Sequence, residues 1–134
     1  MPETTTIVTP DQIALRPGTR GNVKGLQVMH VHEGAPYITF IESGASHYAQ
    51  THSHSEDEVM VVVKGRMLFN GQWCDVGSVI FVPANEEYWY STGDEPCRVA
   101  LVRPKGRGTF QDGLEGVAGP SAKPQKAADD QSSR

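Results

Sequence analysis

EVMVVVKGRMLFNGQWCDVGSVIFVP, residues 58–83, decides the fold class. It holds four short β-prone runs, at 59–64, 66–70, 72–75 and 78–82, each closed by turn residues. Asn70-Gly71 favours positive φ at both central positions and reads as a type I′ hairpin turn. Val76-Gly77 turns the chain again, and Pro83 stops the last run. No stretch of ten or more residues in the chain shows a convincing helical period. Outward from this block the same rhythm continues. LQVMHVH at 26–32 meets a turn at 33–36, and YITFI at 37–41 ends at Ser43-Gly44. Two further runs, at 88–91 and 98–102, complete seven or eight strands. Such a series predicts an all-β sandwich or barrel.

The whole chain has 134 residues, enough for one compact domain. Its 14 Gly and 9 Pro suit many turns better than long helices. Residues 115–134 carry almost no bulky apolar side chains, so burial cannot offset their ordering entropy and a flexible tail is expected there. Residues 1–14 read as a flexible arm whose order depends on docking, leaving 15–114 for the barrel. The net charge of -4 argues against a nucleic-acid partner. No apolar run approaches the roughly 18 residues of a membrane span, and the N-terminus lacks the basic start and apolar stretch of a secretory signal. No membrane contact and a cytoplasmic location are therefore expected. Two cysteines, Cys74 and Cys97, are too few for a disulfide framework or a Cys-based zinc site and read as free thiols.

The chemistry concentrates in THSHSEDE, residues 51–58. His52 and His54 are two apart, so an extended chain points both to one side. Glu58 follows four residues later, at the head of the next run. Two imidazoles and a carboxylate can bind a divalent metal, and this is the ligand set of non-haem Fe(II) oxygenases. The plainer alternative is a polar loop whose His and Glu are merely solvated. Residues 52–65 fit His-x-His-x3-Glu-x6-Gly, and a second segment, GSVIFVPANEEY, follows at 77–88.

Together with the flanking strands, these two segments resemble the cupin family, over roughly residues 21–103. The resemblance implies a double-sheet jelly-roll β-barrel. It also implies a metal held by His52, His54 and Glu58. The chain departs from the family pattern in its second segment. Asn85 stands where Gly is usual, although Asn tolerates positive φ. Thr92 replaces a final Asn, and Tyr88 replaces the His that would be a fourth ligand. Tyr88 has three readings: a phenolate ligand, a catalytic proton donor or substrate partner beside a three-ligand metal, or a core aromatic with a satisfied hydroxyl.

Strand alternation places Gln50 with the two histidines, Met60 and Val62 with Glu58, and Tyr90 with Tyr88. Gln50, Met60 and Tyr90 are thus the expected substrate-pocket residues. Phe69, Phe81, Trp73 and Trp89 are candidates for the cavity wall or the opposite face. A second His-x-His, His30 and His32, has no partner motif and is expected to be non-ligating; His47 is expected to be exposed.

The reading that follows is a metal-dependent enzyme acting on a small organic molecule, with one divalent ion per chain. Fe(II) and dioxygenase chemistry are favoured, because the ligand set leaves positions for substrate and O₂. Zn, Mn, Ni or Cu remain open, as do isomerase, lyase and decarboxylase reactions in which a Lewis-acid metal polarises the substrate. A non-catalytic binding or sensor module is the alternative from another class. Homodimerisation is implied by the resemblance.

Overall fold

The computed structural model describes residues 3–18 and 25–112. After a 3-10 turn at Pro10–Gln12 come β1 (Arg16–Pro17), β2 (Leu26–Glu33), β3 (Tyr37–Ser43), β4 (Tyr48–His54), β5 (Glu58–Lys64) and β6 (Met67–Phe69). The chain continues through β7 (Gln72–Cys74), β8 (Val79–Val82), β9 (Tyr88–Thr92), β10 (Cys97–Arg103) and β11 (Phe110–Asp112). They form a six-stranded sheet, β1-β2-β3-β10-β5-β8, and a five-stranded sheet, β11-β4-β9-β6-β7. Neighbouring strands pair antiparallel, and the two sheets do not close on each other. No helix of the described residues is long and apolar enough to cross a membrane.

Alternation decides what each strand buries. On β10, Cys97, Val99, Leu101 and Arg103 are buried while the residues between them are half-buried. On β5, Glu58, Met60 and Val62 face inward. Met60, Val62, Val99 and Leu101 from one sheet join Met67, Phe69, Tyr88 and Tyr90 from the other in one core. Each such side chain contributes about 1.5–3 kcal/mol by leaving water.

The turn chemistry agrees with the sequence. Asn70 and Gly71 have φ of 48° and 89°, and Asn85 has φ of 68°. Asn70 Oδ1 also accepts the Trp89 N–H at 3.1 Å, tying the hairpin to β9. Gly65, the last residue of the first motif, has φ +75°, and a Cβ there would lie 2.2 Å from the Pro96 carbonyl oxygen. Only glycine fits that position.

Two differences stand out. Residues 48–54 form a strand, β4, although its polar half has low strand propensity. Pairing with β9 on one side and β11 on the other overrides that propensity. The N-terminal arm is docked: Ala14 N–H donates to Met29 Sδ at 3.1 Å, and Glu3 Oε2 lies 2.9 Å from His32 Nε2. The expected tail, 115–134, lies outside the described residues.

Candidate active site

β4 delivers His52 and His54 to one side, as two-residue spacing requires. Their ring centroids are 5.0 Å apart, edge to face, and both side chains are buried. His52 Nδ1–H donates to the Gln50 carbonyl at 2.7 Å. A carbonyl only accepts, so the hydrogen sits on Nδ1 and the lone pair on Nε2. Metal-ligating histidines commonly have their outer nitrogen fixed in this way. Phe110 stacks on the His52 ring at 5.0 Å and meets His54 at 5.5 Å.

Tyr88 sits opposite His52 in the β4–β9 register, with its ring 4.4 Å from the His52 ring and stacked on Phe69 at 4.8 Å. Its hydroxyl donates to Glu58 Oε2 at 2.9 Å. Arg103 Nε–H donates to the other oxygen, Oε1, also at 2.9 Å. The Glu58 and Arg103 side chains are 1% and 3% exposed, so this is a buried ion pair. Arg103 also donates from Nη1 to the Arg107 carbonyl at 2.8 Å, and its guanidinium lies 5.7 Å from the Tyr37 ring centroid. Burial, followed by the Glu58 charge, pushes the Tyr88 hydroxyl well above the usual phenol range. In this arrangement Tyr88 is a protonated phenol and a donor.

The structure therefore brings together His52, His54 and Tyr88, and sets Glu58 beside Tyr88. It does not assemble the expected two-histidine, one-carboxylate centre. Among the described residues, no three His, Cys, Asp or Glu side chains are placed to hold a metal ion. The reason is electrostatic. Glu58 is buried, a buried carboxylate needs a cation, and Arg103 supplies it. On the imidazole side the donor chemistry fits a divalent ion: two adjacent buried rings, one with a fixed tautomer. On the carboxylate side, each Glu58 oxygen already accepts one hydrogen bond, from Arg103 and from Tyr88.

The pocket residues divide. Met60 and Tyr90 face inward but belong to the packed core, and the Tyr90 hydroxyl bonds Ser43 Oγ at 3.0 Å. Gln50 is exposed, contrary to expectation. A register shift between Ala49 and His52 breaks the alternation, so Ala49 packs against the core and only the Gln50 carbonyl serves the site. Phe69 is part of the inner wall, whereas Phe81 lies on the opposite, exposed face. His47 is half-buried rather than exposed, and burial lowers its pKa.

Two site residues escaped the sequence reading, Arg103 and Phe110. The signal for Arg103 was present, because extending the 98–102 alternation puts it on the face of Val99 and Leu101. An inward arginine at a strand end demands a carboxylate partner. Phe110 gave no comparable signal, as a lone aromatic in a glycine-rich stretch.

No family model matches the chain. It is 42% identical over 62 residues to an acireductone dioxygenase of Alcanivorax borkumensis, covering 40% of this chain and 34% of the relative. It is 31% identical over 91 residues to an acireductone dioxygenase of Pseudomonas fluorescens, covering 62% and 49%. The chain thus spans between a third and a half of the length of these curated relatives. Among solved structures, a cupin 2 conserved barrel domain protein from Rhodopseudomonas palustris superposes with a TM-score of 0.67 at 13% identity, over 94% of this chain and 97% of that one.

Proposed function

We propose that this chain, a cupin by fold, is a metal-dependent oxidoreductase of dioxygenase type acting on a small organic molecule. The observation that carries the reading is the buried His52–His54 pair, with the lone pair of His52 fixed on Nε2. The identity to acireductone dioxygenases supports the reaction class and makes an acireductone the first substrate to test. His52 and His54 would hold one divalent ion, with Fe(II) tested first and Ni, Zn, Mn and Cu after it. A bound ferrous ion would supply O₂ activation, chemistry that no side chain provides.

The remaining roles belong to the chain itself. Phe110 and Phe69 cover the site with apolar surface and limit water. Tyr88 holds a proton at its hydroxyl oxygen beside the His52 ring, and would deliver it to a substrate oxygen only by breaking its hydrogen bond to Glu58. Glu58 orients that hydroxyl, and Arg103 neutralises Glu58.

The test pairs metal content with gas uptake. Untagged wild type and His54→Ala are reloaded anaerobically with Fe(II), and O₂ consumption is followed against acireductone loss. About one metal per wild-type chain, absent from the variant, with O₂ uptake matching substrate loss, is expected. No metal after reloading with Fe(II), Mn(II), Ni(II) or Zn(II) would refute the reading. Turnover without O₂ uptake would transfer it to isomerase, lyase or decarboxylase chemistry.

A second copy of the chain is the proposed partner. Val79 and Phe81 on the edge strand β8 are 66% and 60% exposed. They pair with Val61 and Val59 on β5, giving an apolar outer face of the kind that a subunit covers. Elution as a 14.6 kDa monomer would remove this proposal.

A further inference from the structure

We propose that Arg103 occupies the cation position of this site and competes with a divalent metal for Glu58, so that Arg103 sets the metal affinity of the barrel. The inference rests on the metal-binding reading of His52 and His54 and deepens it. Its basis is the geometry around one carboxylate. Glu58 receives Arg103 Nε on Oε1 and the Tyr88 hydroxyl on Oε2, both at 2.9 Å, and nothing about the pair is solvated.

Charge balance gives the direction of the effect. Glu58 and Arg103 form a buried pair of zero net charge. A divalent ion entering beside them brings two uncompensated positive charges into a buried site. With the guanidinium removed, the same ion finds a carboxylate without a counter-ion, and the net charge falls by one. At low effective dielectric that difference favours the metal strongly. The structure also shows what anchors Arg103. Its Nη1 donates to the Arg107 carbonyl, and its own carbonyl accepts the Gly106 N–H at 3.1 Å. The same loop is bonded to the residue after His54: Ser55 N–H donates to the Thr109 carbonyl at 3.0 Å, and Thr109 N–H to Ser55 Oγ at 2.9 Å. The cation on Glu58 and the end of the histidine strand are thus held by one loop. Arg103 is a positioning residue here, acting on the metal through Glu58.

The probe is Mn(II), whose unbound fraction is read directly by electron paramagnetic resonance. Full-length wild type, Arg103→Gln, Arg103→Lys, Glu58→Gln/Arg103→Gln and His54→Ala are titrated, and the melting shift caused by Mn(II) is recorded for each. Arg103→Gln is expected to bind at least about tenfold more tightly than wild type and to show a larger melting shift, with Arg103→Lys between them. The double variant is expected to lose the gain, because the orphaned carboxylate is gone. Should Arg103→Gln fold only with metal, its refolding yield against Mn(II) concentration reports the same preference. Wild-type binding that His54→Ala abolishes and Arg103→Gln leaves unchanged or weaker would overturn the role of Arg103 alone. Absence of binding in wild type and both Arg103 variants would overturn this inference and the metal reading together.

Discussion

His52-Ser53-His54 and His30-Val31-His32 share one spacing and both lie on strands, yet their side chains go to different places. On β4 the register is regular across the pair, with Asp112 opposite His52 and Phe110 opposite His54, so both rings turn inward and meet at 5.0 Å. On β2 a register shift falls between His30 and His32. His30 pairs with buried Thr39 and its ring bonds the Thr39 and Tyr37 hydroxyls. His32 pairs with Ile38, the next residue along β3, and so turns to the other side, where it meets Glu3 and the Pro36 carbonyl. One inserted residue separates a candidate metal pair from two unrelated histidines. Here the His-x-His spacing brings its two rings together only where the ladder beneath it is unbroken.

The largest expected contrast is in metal content. His54→Ala should lower affinity for the ion by at least about tenfold, whereas His32→Ala should leave it unchanged. Equal loss in both, by elemental analysis, would erase the distinction between the two pairs. Next comes the contrast between ion pairs. Arg103→Met leaves a buried carboxylate unpaired and should cost about 3–5 kcal/mol in urea unfolding, with Glu58→Gln/Arg103→Met costing less. Glu3→Gln, at the exposed His32 pair, should not move the midpoint measurably.

Smaller again is the loss of a phenol. Tyr88→Phe removes a hydrogen bond to a buried carboxylate, for about 1.5–3 kcal/mol, and should spare the metal while slowing turnover. Tyr37→Phe removes only its hydroxyl's contact with His30 and should cost about 0.5–1.5 kcal/mol. Unchanged turnover in Tyr88→Phe would return that residue to the core.

The smallest effect is on pH dependence. Both ring nitrogens of His32 face acceptors, and the Glu3 carboxylate, followed by the Pro36 carbonyl, raises its pKa above 6.5. Its contribution to arm docking is therefore complete below that value and fades as pH rises through the raised one. His47, lowered by burial, acts in the opposite sense: its penalty begins as pH falls below 6.5. Histidine titration by NMR checks both, and Glu3→Gln should bring His32 back toward its ordinary value.

Much of the architecture was legible where side-chain pattern and turn chemistry agree. The runs from Val59 to Val82 fold as read, because β-branched residues and Asn70-Gly71 favour the same hairpins. The histidine pair was legible from its spacing, and its burial was not, because β11 arrives from a distant stretch to cover it. Gln50 was misplaced because a bulge leaves no mark in composition. The pairing of Glu58 with Arg103 was not legible, because Arg103 lies 45 residues away and meets it only once β10 pairs with β5.

β9 sends two phenols across the gap between the sheets, Tyr88 to Glu58 on β5 and Tyr90 to Ser43 on β3. Each is a rigid strut of fixed reach, pinned at its far end by a hydrogen bond. The middle of the sandwich is thereby propped at one width, near the ~10 Å at which sheets usually stack. The strands that lack a second neighbour lie at the margins, β1 and β8 in one sheet and β11 and β7 in the other, while the centre is braced from within.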